Sequence, residues 1–313
     1  METEAAFSHD TARGAALSDA ALARHLEGVA LDCEQVEETG STNSDLMARA
    51  RAAALVRPVL RVAQRQTQGR GRRGRRWHGA EAGSLLFSLA LPWQRTPAES
   101  TAVTLACGLA VAALLREHLP AGGARIRVKW PNDILLDDGK LAGILVELAE
   151  DPAGARTLVI GLGINLATDA ALRARVAGDA GHAGPPEGSA PGDACPAAAV
   201  ADLAMVLGDA AARTQRELWL ARLGRALLDA AQRFERDGFA DGPAAFAACC
   251  AYLGEPVDVH GAAGAPTAGI LRGVDARGHL LIDSAQGMQA LSSGEVSMRA
   301  QHPAPAGPDG ARA

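Results

Sequence analysis

Arg125-Ile-Arg-Val-Lys-Trp-Pro-Asn-Asp-Ile-Leu-Leu-Asp-Asp-Gly-Lys-Leu-Ala-Gly-Ile-Leu-Val-Glu-Leu148 contains the turn signals that indicate how this chain folds. The Pro131-Asn132-Asp133 break and the Asp138-Gly139 pair predict turns between apolar strands, the second of them a two-residue hairpin turn. Strands joined by such short turns pair antiparallel, because a parallel pair needs a crossover of about a dozen residues or more. With a further strand expected at 157–164, the stretch predicts an α+β protein with a mixed β-sheet.

The flanking sequence supplies helices and more strands. Residues 59–63 and 83–91 predict short strands, the second buried and ended by Pro92, and residues 101–118 predict a long apolar helix. Helices interrupted near Gly208 are expected across 197–239. Between 254 and 299, short apolar runs alternate with glycine turns, which predicts a small β-barrel. Its strands are expected at 256–260, 267–274, 279–283 and 296–299.

Bulk composition narrows the class of protein. The 313 residues carry a formal net charge of −5, so the chain has no general basic field for a nucleic acid backbone. The five cysteines form no Cys-x-x-Cys pair and are odd in number, which argues against a disulfide framework or a zinc site. The chain begins acidic and polar and has no long apolar run, so we expect a cytoplasmic protein.

A local concentration of arginine stands out against this acidic background. Residues 64–77 read Gln-Arg-Gln-Thr-Gln-Gly-Arg-Gly-Arg-Arg-Gly-Arg-Arg-Trp. Guanidinium forks donate paired hydrogen bonds to phosphate or carboxylate, and glycine removes the Cβ that blocks a close approach of the backbone. The loop therefore indicates a small-anion site. A solvated basic loop or an RNA-binding segment is the alternative at this point.

Familiar nucleotide and hydrolase motifs are missing from the sequence. Gly139-Lys140 is followed by Leu141, so it is not a P-loop, and Gly161-Leu162-Gly163 lacks the third glycine of a dinucleotide fingerprint. No His-Glu-x-x-His or Gly-x-Ser-x-Gly occurs. Three other features each have a purely structural interpretation when considered alone. Residues 40–44 could form only a helix cap, residues 129–133 only a turn, and Lys140 could be a solvated lysine.

In their order along the chain, these segments are distinctive, and the chain resembles the biotin protein ligases, also called biotin–[acetyl-CoA-carboxylase] ligases. The resemblance spans about residues 36 to 300. It is carried by Ser41-Thr42-Asn43, by Gln66-x-x-Gly69-Arg70-Gly71-Arg72-Arg73-Gly74-Arg75-x-Trp77, by Lys129-Trp130-Pro131-Asn132-Asp133, by Lys140-Leu-Ala-Gly143-Ile-Leu-Val-Glu147, by Gly161-x-Gly163-Ile-Asn165 and by the terminal Gly294-Glu295-Val-Ser-Met-Arg299.

The resemblance implies a two-step reaction. Biotin and Mg-ATP form biotinyl-5′-adenylate, and a lysine of a biotin carboxyl carrier protein domain, in acetyl-CoA carboxylase or a related carboxylase, then takes the biotin. ATP and biotin are thus expected substrates, with Mg²⁺ as cofactor. Both steps build negative charge on phosphate oxygens, so positioning and preorganised positive charge should dominate catalysis.

The resemblance also assigns roles to residues of this sequence. Lys140, Arg72 and Arg70 match the catalytic positions. The biotin site is expected to comprise Ser41, Thr42, Asn43, Gln66, Arg70, Gly71, Arg72 and Lys140. The ATP site is expected to comprise Arg72, Arg75, Trp77, Asn132, Gly163 and Asn165, with Asp133 as a Mg²⁺ ligand. No adenine-stacking residue is assigned in the Gly- and Pro-rich segment 177–196.

The implied architecture has four parts. Residues 1–35 form an N-terminal extension, 36–250 a catalytic domain of the class II aminoacyl-tRNA-synthetase-like type, 251–300 an SH3-like β-barrel and 301–313 a disordered tail. The sequence before Ser41 is too short for a winged helix and a linker, so we expect a monofunctional ligase that binds no DNA or membrane and is a monomer or homodimer.

Two other functions are weighed against this one. A lipoate–protein ligase shares the fold and the adenylate chemistry, but it should lack the dense arginine–glycine loop. A nucleic-acid-binding regulator, using that loop and the terminal barrel, is opposed by the acidic net charge and the scarcity of aromatic residues for base stacking.

Overall fold

A mixed β-sheet forms the centre of the protein. The computed structural model describes residues 17–119, 122–182, 199–260, 267–292 and 297–300. The strands of the central sheet are β1 (Asp32–Thr39), β2 (Val59–Gln66), β3 (Ser84–Trp93), β4 (Ile126–Lys129), β5 (Asp133–Leu136), β6 (Gly139–Glu150) and β7 (Arg156–Asn165). Their order is β1-β2-β3-β7-β6-β5-β4. The β1–β2 pair is parallel and the other neighbours are antiparallel, which confirms the predicted mixed sheet.

Helices cover both faces of this sheet. They are α1 (Asp19–His25), α2 (Thr42–Ala52), α3 (Ser100–His118), α4 (Ala170–His182), α5 (Ala204–Leu207), α6 (Asp209–Thr214), α7 (Arg216–Asp237) and α8 (Gly242–Ala247). Leu85, Phe87 and Leu89 of β3 belong to the large core that the sheet shares with α3 and α7, whereas Ala90 packs in a smaller cluster under α2. Because both faces of β3 are buried, its sequence is almost continuously apolar.

A second sheet follows the helices. It comprises β8 (Pro256–His260), β9 (Thr267–Val274), β10 (Leu280–Ser284), β11 (Gly287–Leu291) and β12 (Ser297–Ala300), all antiparallel, in the order β11-β10-β9-β8-β12. This is the small C-terminal β-structure that the sequence predicted.

The two sheets are joined at the residues that precede the Pro131 turn. The buried Trp130 donates from Nε1 to the carbonyl oxygen of Gly278, in the β9–β10 turn, at 2.9 Å. Val128 of β4 donates from its backbone to Cys249 at 2.7 Å and accepts from Ala251 at 3.0 Å. The start of the C-terminal region therefore extends the central sheet at its β4 edge.

Two predicted strand boundaries were wrong. The hairpin turn is Asp137-Asp138 rather than Asp138-Gly139, because Leu136 pairs with Gly139. Asp137 takes the left-handed backbone conformation (φ 53°) usually left to glycine, and its carboxylate accepts two hydrogen bonds from Arg125, which lower its pKa. Strand β3 continues through Pro92, whose missing N–H is tolerated because the pairing with β2 already ends at Ala90.

Other elements were not predicted. Strand β1 is an edge strand of charged and half-exposed residues, so it lacks the apolar alternation that identifies a strand. Helices α4 and α8 and strand β11 were missed for similar reasons, since each is short or weakly patterned. The N-terminal residues 1–16, segment 183–198 and tail 301–313 lie outside the described residues, as does any adenine-covering residue within 183–198. In the described ranges, no helix is long and apolar enough to cross a membrane.

Replacing Trp130 by phenylalanine tests the link between the sheets. The change keeps an aromatic ring but leaves the Gly278 carbonyl without its donor, so the free energy of unfolding should fall by about 1–3 kcal/mol from this loss. Trp219→Phe is the matched control, because Trp219 is equally buried and its Nε1 finds no acceptor in the described part of the chain. Equal losses in urea denaturation of the two variants would contradict the assigned role of the hydrogen bond.

Candidate active site

A cleft of about 170 Å³ lies on the face of the central sheet that α2 only partly covers. Its floor comes from β3, β6 and β7, where Ser88 pairs with Gly161 and Gly143 pairs with Gly163. Paired residues share a face of a sheet, so these small residues form a shallow floor. Of the sequence-predicted site residues, Asn165 is outside the lining and the others line the cleft: Ser41, Thr42, Asn43, Gln66, Arg70, Gly71, Arg72, Arg75, Trp77, Asn132, Asp133, Lys140 and Gly163.

One wall of the cleft is polar and comes from the start of α2. Ser41 is the N-cap, its Oγ accepting from the Ser44 N–H at 3.5 Å, and this cap fixes the two residues that follow. Thr42 donates from its backbone N–H to Gln66 Oε1 at 2.7 Å and lies 2.7 Å from Ser88 through its hydroxyl. Since Gln66 Oε1 is taken up by Thr42, the amide of Gln66 has its NH₂ group available as donor.

Asn43 is held from several sides. Its Oδ1 accepts from Ser88 Oγ at 2.7 Å, and its Nδ2 donates to Glu147 Oε2 at 2.8 Å. A Cβ on Gly161 would lie 2.5 Å from Asn43 Oδ1, so the missing side chain at position 161 is what admits the amide. Ser88 and Glu147 were not among the predicted site residues. The available indications were that Ser88 is a serine inside the apolar strand β3 and that Glu147 ends the Lys140–Glu147 segment on which the resemblance depends.

The arginine–glycine loop folds back on itself as a narrow hairpin. Trp77 N–H donates to Gly69 at 2.9 Å, and Gly71 N–H donates to Arg75 at 2.7 Å. A Cβ on Gly69 would lie 2.5 Å from the Trp77 carbonyl oxygen, and Gly74 has a positive φ of 71°. These two glycines are therefore needed for the backbone conformation of the loop itself. From the sequence alone, the glycines were expected to allow a close approach of the backbone to an anion.

The indole of Trp77 lies across the glycine floor. A Cβ on Gly163 would lie 2.3 Å from the Trp77 ring, and one on Gly143 would lie 2.9 Å from it. Lys140 Nζ is 5.4 Å from the centroid of the same ring, within cation–π range. Trp77 Nε1 is buried and has no hydrogen-bond acceptor among the described residues. Gly163 thus seats Trp77, and Trp77 brings the end of the loop to Lys140.

Lys140 is paired with Asp133. Lys140 Nζ lies 2.7 Å from Asp133 Oδ1, and both side chains are partly buried. One carboxylate suits Mg²⁺ only when substrate phosphates supply further oxygens. No cluster of three or more acidic, histidine or cysteine side chains that would hold a metal by themselves occurs in the described part of the chain. Asp133 therefore fits a cation that arrives with a phosphate ligand.

The two asparagines of the predicted ATP site are used in holding backbone. Asn132 Nδ2 donates to the carbonyl oxygen of Ile144 at 3.1 Å and so fixes the turn before β5. Asn165, only 4% exposed, donates from Nδ2 to the carbonyl oxygens of Ala201 at 3.1 Å and Lys140 at 3.3 Å. Its expected contact with adenine stays a prediction, and in this arrangement its amide anchors the backbone of Lys140.

The positions of the lysines give a further indication of the site. Among 31 lysines and arginines, only two are lysine, Lys129 and Lys140, and both line the cleft. An ammonium is a compact point charge whereas a guanidinium is a planar fork, so the two are not interchangeable at a site that gathers anions. We therefore add Lys129 to the candidate site residues.

Cysteine chemistry does not belong to this cleft. Burial raises the pKa of Cys107 to about 12, and burial is also the main cause that raises the pKa of Cys33 and of Cys250 to about 11. None of the described cysteines lines the cleft. The cleft lining therefore contains no cysteine nucleophile, and its polar groups are hydroxyls, amides, guanidiniums, the ammonium groups of Lys129 and Lys140 and the carboxylate of Asp133.

Comparison with known proteins identifies similar chains. Residues 36–165 match the model of the biotin/lipoate A/B protein ligase family, and residues 252–299 match the biotin protein ligase C-terminal domain. The chain is 32% identical over 268 residues to the biotin–[acetyl-CoA-carboxylase] ligase of Paracoccus denitrificans, covering 82% of this chain and 97% of that protein. It is 32% identical over 238 residues to the bifunctional ligase/repressor BirA of Escherichia coli, covering 76% of this chain.

The likeness can also be expressed as the length of the relative that is matched and as similarity to a solved structure. The chain spans 65% of the length of the Escherichia coli relative. Among solved structures, the biotin protein ligase from Aquifex aeolicus in complex with biotin and ATP superposes with a TM-score of 0.64 at 26% identity. That match covers 86% of this chain and 99% of the other. The likeness therefore includes both sheets.

Gly163→Ala tests how the floor seats Trp77. The added methyl would overlap the indole, so the free energy of unfolding should fall by about 1–3 kcal/mol and the backbone N–H of Trp77 should exchange faster with solvent. Gly108→Ala in α3 is the control, because a Cβ there would meet only ordinary van der Waals contacts, at 3.9 Å, with Val128, Ile134 and Ile144 of the sheet. Unchanged stability and exchange in Gly163→Ala would show that Trp77 does not depend on this glycine.

Proposed function

Because the chain belongs to the biotin protein ligase family, we propose that it joins biotin to ATP as biotinyl-5′-adenylate and then transfers biotin to a lysine of a carrier protein domain. The observation that supports this most is the meeting, in one cleft, of a hydroxyl-and-amide wall, an arginine–glycine loop and Lys140. The wall can hydrogen-bond a neutral polar ring, and the basic groups can bind two anions. Joining biotin to ATP requires both kinds of site next to each other.

The polar wall is complementary to a ureido ring. Such a ring has one carbonyl acceptor and two N–H donors. Gln66 has its NH₂ group to donate, since its Oε1 already accepts from Thr42. The hydroxyls of Ser41 and Thr42 supply oxygen acceptors, and Asn43 is fixed behind them by Ser88 and Glu147.

The basic groups serve the first half-reaction. A carboxylate oxygen attacks the α-phosphorus, the new O–P bond forms, and the bond to the leaving pyrophosphate breaks. Two anions must approach each other, so Lys140 would neutralise their repulsion, with Arg72 near the phosphate and Arg70 near the carboxylate or the pyrophosphate. Mg²⁺, when bound with the triphosphate, would supply further positive charge, and Asp133 is its candidate protein ligand.

The second half-reaction needs an incoming amine. Its nitrogen attacks the acyl carbon of the mixed anhydride, loses a proton, and expels AMP. The cleft opens at the arginine–glycine loop, whose described residues between 70 and 76 are largely exposed. Closure of the loop would keep water off the anhydride until a carrier arrives. Absence of DNA binding, monomer or homodimer state and cytoplasmic location stay predictions from the sequence.

Pyrophosphate release from ATP tests the first step without any carrier. Release should depend on biotin and should fall roughly 100-fold or more in Lys140→Ala, the range seen when a preorganised charge is removed from a reaction centre. Lys140→Arg should recover only part of the rate, since a fork replaces a point charge. Release with lipoate but not with biotin would assign the protein to lipoate ligation, and no release with either would reject the proposal.

Loop closure has its own measurement. Amide hydrogen exchange across residues 66–77 should slow when biotin and Mg-ATP are added together, because Arg70 and Arg72 gain anionic partners and the loop becomes ordered. Exchange in β10, which does not line the cleft, should stay the same. Equal protection of the loop with and without both substrates would contradict closure.

A further inference from the structure

We propose that Glu147 is a positioning residue, which holds Arg70 and with it the arginine–glycine loop at the edge of the cleft before any substrate binds. The inference deepens the proposed function and rests on it for its kinetic consequence. Its structural part, a bridge between loop and pocket wall in the ligand-free protein, stands on contacts of the chain alone.

The carboxylate of Glu147 connects two elements that are far apart in sequence. Its Oε2 accepts from Asn43 Nδ2 at 2.8 Å, and its Oε1 accepts from Arg70 Nη2 at 2.9 Å. Arg70 also donates from Nη1 to Ser44 Oγ at 3.1 Å. The guanidinium is therefore held between β6 and the first turn of α2, although it projects from a glycine-rich loop.

The Glu147 side of this bridge is rigid. Ser88 on β3 donates to Asn43 Oδ1, which fixes the orientation of the amide so that its NH₂ group points to Glu147. Gly161 on β7 provides the space for that amide. Three neighbouring strands thus determine where the carboxylate lies. Because the carboxylate is already fixed, pairing with it positions the Arg70 side chain without ordering any other group.

This arrangement has a consequence for binding. The Arg70 side chain is about half exposed and stands at the cleft edge, where an entering carboxylate would meet it. Pre-positioning lowers the entropic cost of ordering the loop when the substrate binds. Loss of Glu147 should therefore weaken substrate binding more than it slows the chemical step, because the bound substrates themselves give Arg70 its anionic partner once they are in place.

Glu147→Gln in the full chain tests the bridge directly. The amide keeps an acceptor for Asn43 but removes the charge that Arg70 pairs with. In the ligand-free protein, exchange of amides 69–77 should become up to about fivefold faster, the range for one partly exposed ion pair. Glu150→Gln is the matched control on the same strand, since Glu150 pairs with Arg156 and lies outside the cleft lining. Unchanged exchange in Glu147→Gln, or equal acceleration in the control, would overturn the proposal.

Arg70→Gln provides a second route to the same answer if Glu147→Gln folds poorly. It breaks the bridge from the exposed side and also removes the hydrogen bond to Ser44, so it should speed loop exchange at least as much as Glu147→Gln. The double variant should exchange no faster than Arg70→Gln alone, because both changes remove the same ion pair. Additive effects would mean that Glu147 and Arg70 act separately and would overturn the bridge.

Kinetics separate positioning from a general structural role. Glu147→Gln should raise the KM for biotin about threefold and leave kcat within about a factor of two, as expected when one partly exposed ion pair is lost from the binding step. A fall in kcat with unchanged KM would overturn the positioning role. If wild-type protein shows no biotin-dependent turnover, the proposed function fails, while the exchange experiment still decides whether the bridge exists.

Discussion

The cleft depends on one constraint: the absence of side chains along the middle of β6 and β7. Gly161 admits the amide of Asn43, and Gly163 and Gly143 admit the indole of Trp77. A methyl group at any of these positions would approach its neighbour to less than 3.0 Å. Because paired residues on adjacent strands face the same way, antiparallel pairing gathers these openings into one floor. The pocket wall and the end of the arginine–glycine loop both rest on it.

Charge in the cleft is compensated before any anion enters. Lys140 pairs with Asp133, and Arg70 pairs with Glu147. Such pairs let basic groups be placed in a partly buried cleft, since a buried charge without a partner is costly. Under the proposed function, an incoming carboxylate or phosphate would replace an acidic side chain as partner. The local concentration of arginine and lysine at the cleft is what gives a protein with a net charge of −5 a candidate anion site.

The sequence predicted the mixed sheet, the C-terminal strands and most of the cleft lining, because short turns restrict topology and motifs with unusual composition lie at the site. It did not predict the use of individual residues. Asn165 anchors main chain, and Gly69 serves the loop. Glu147 and Ser88 were missed, because their importance comes from contacts between strands that are distant in sequence. Strand β1 was missed, since an exposed edge strand has no apolar alternation.

Native mass spectrometry of the protein incubated with biotin and Mg-ATP, without carrier, would detect the adenylate itself. We expect one tightly held biotinyl adenylate per chain, absent when either substrate is omitted and strongly reduced in Lys140→Ala. A protein that keeps its unliganded mass with both substrates present would contradict the account. So would one that retains an adenylate of lipoate and none of biotin.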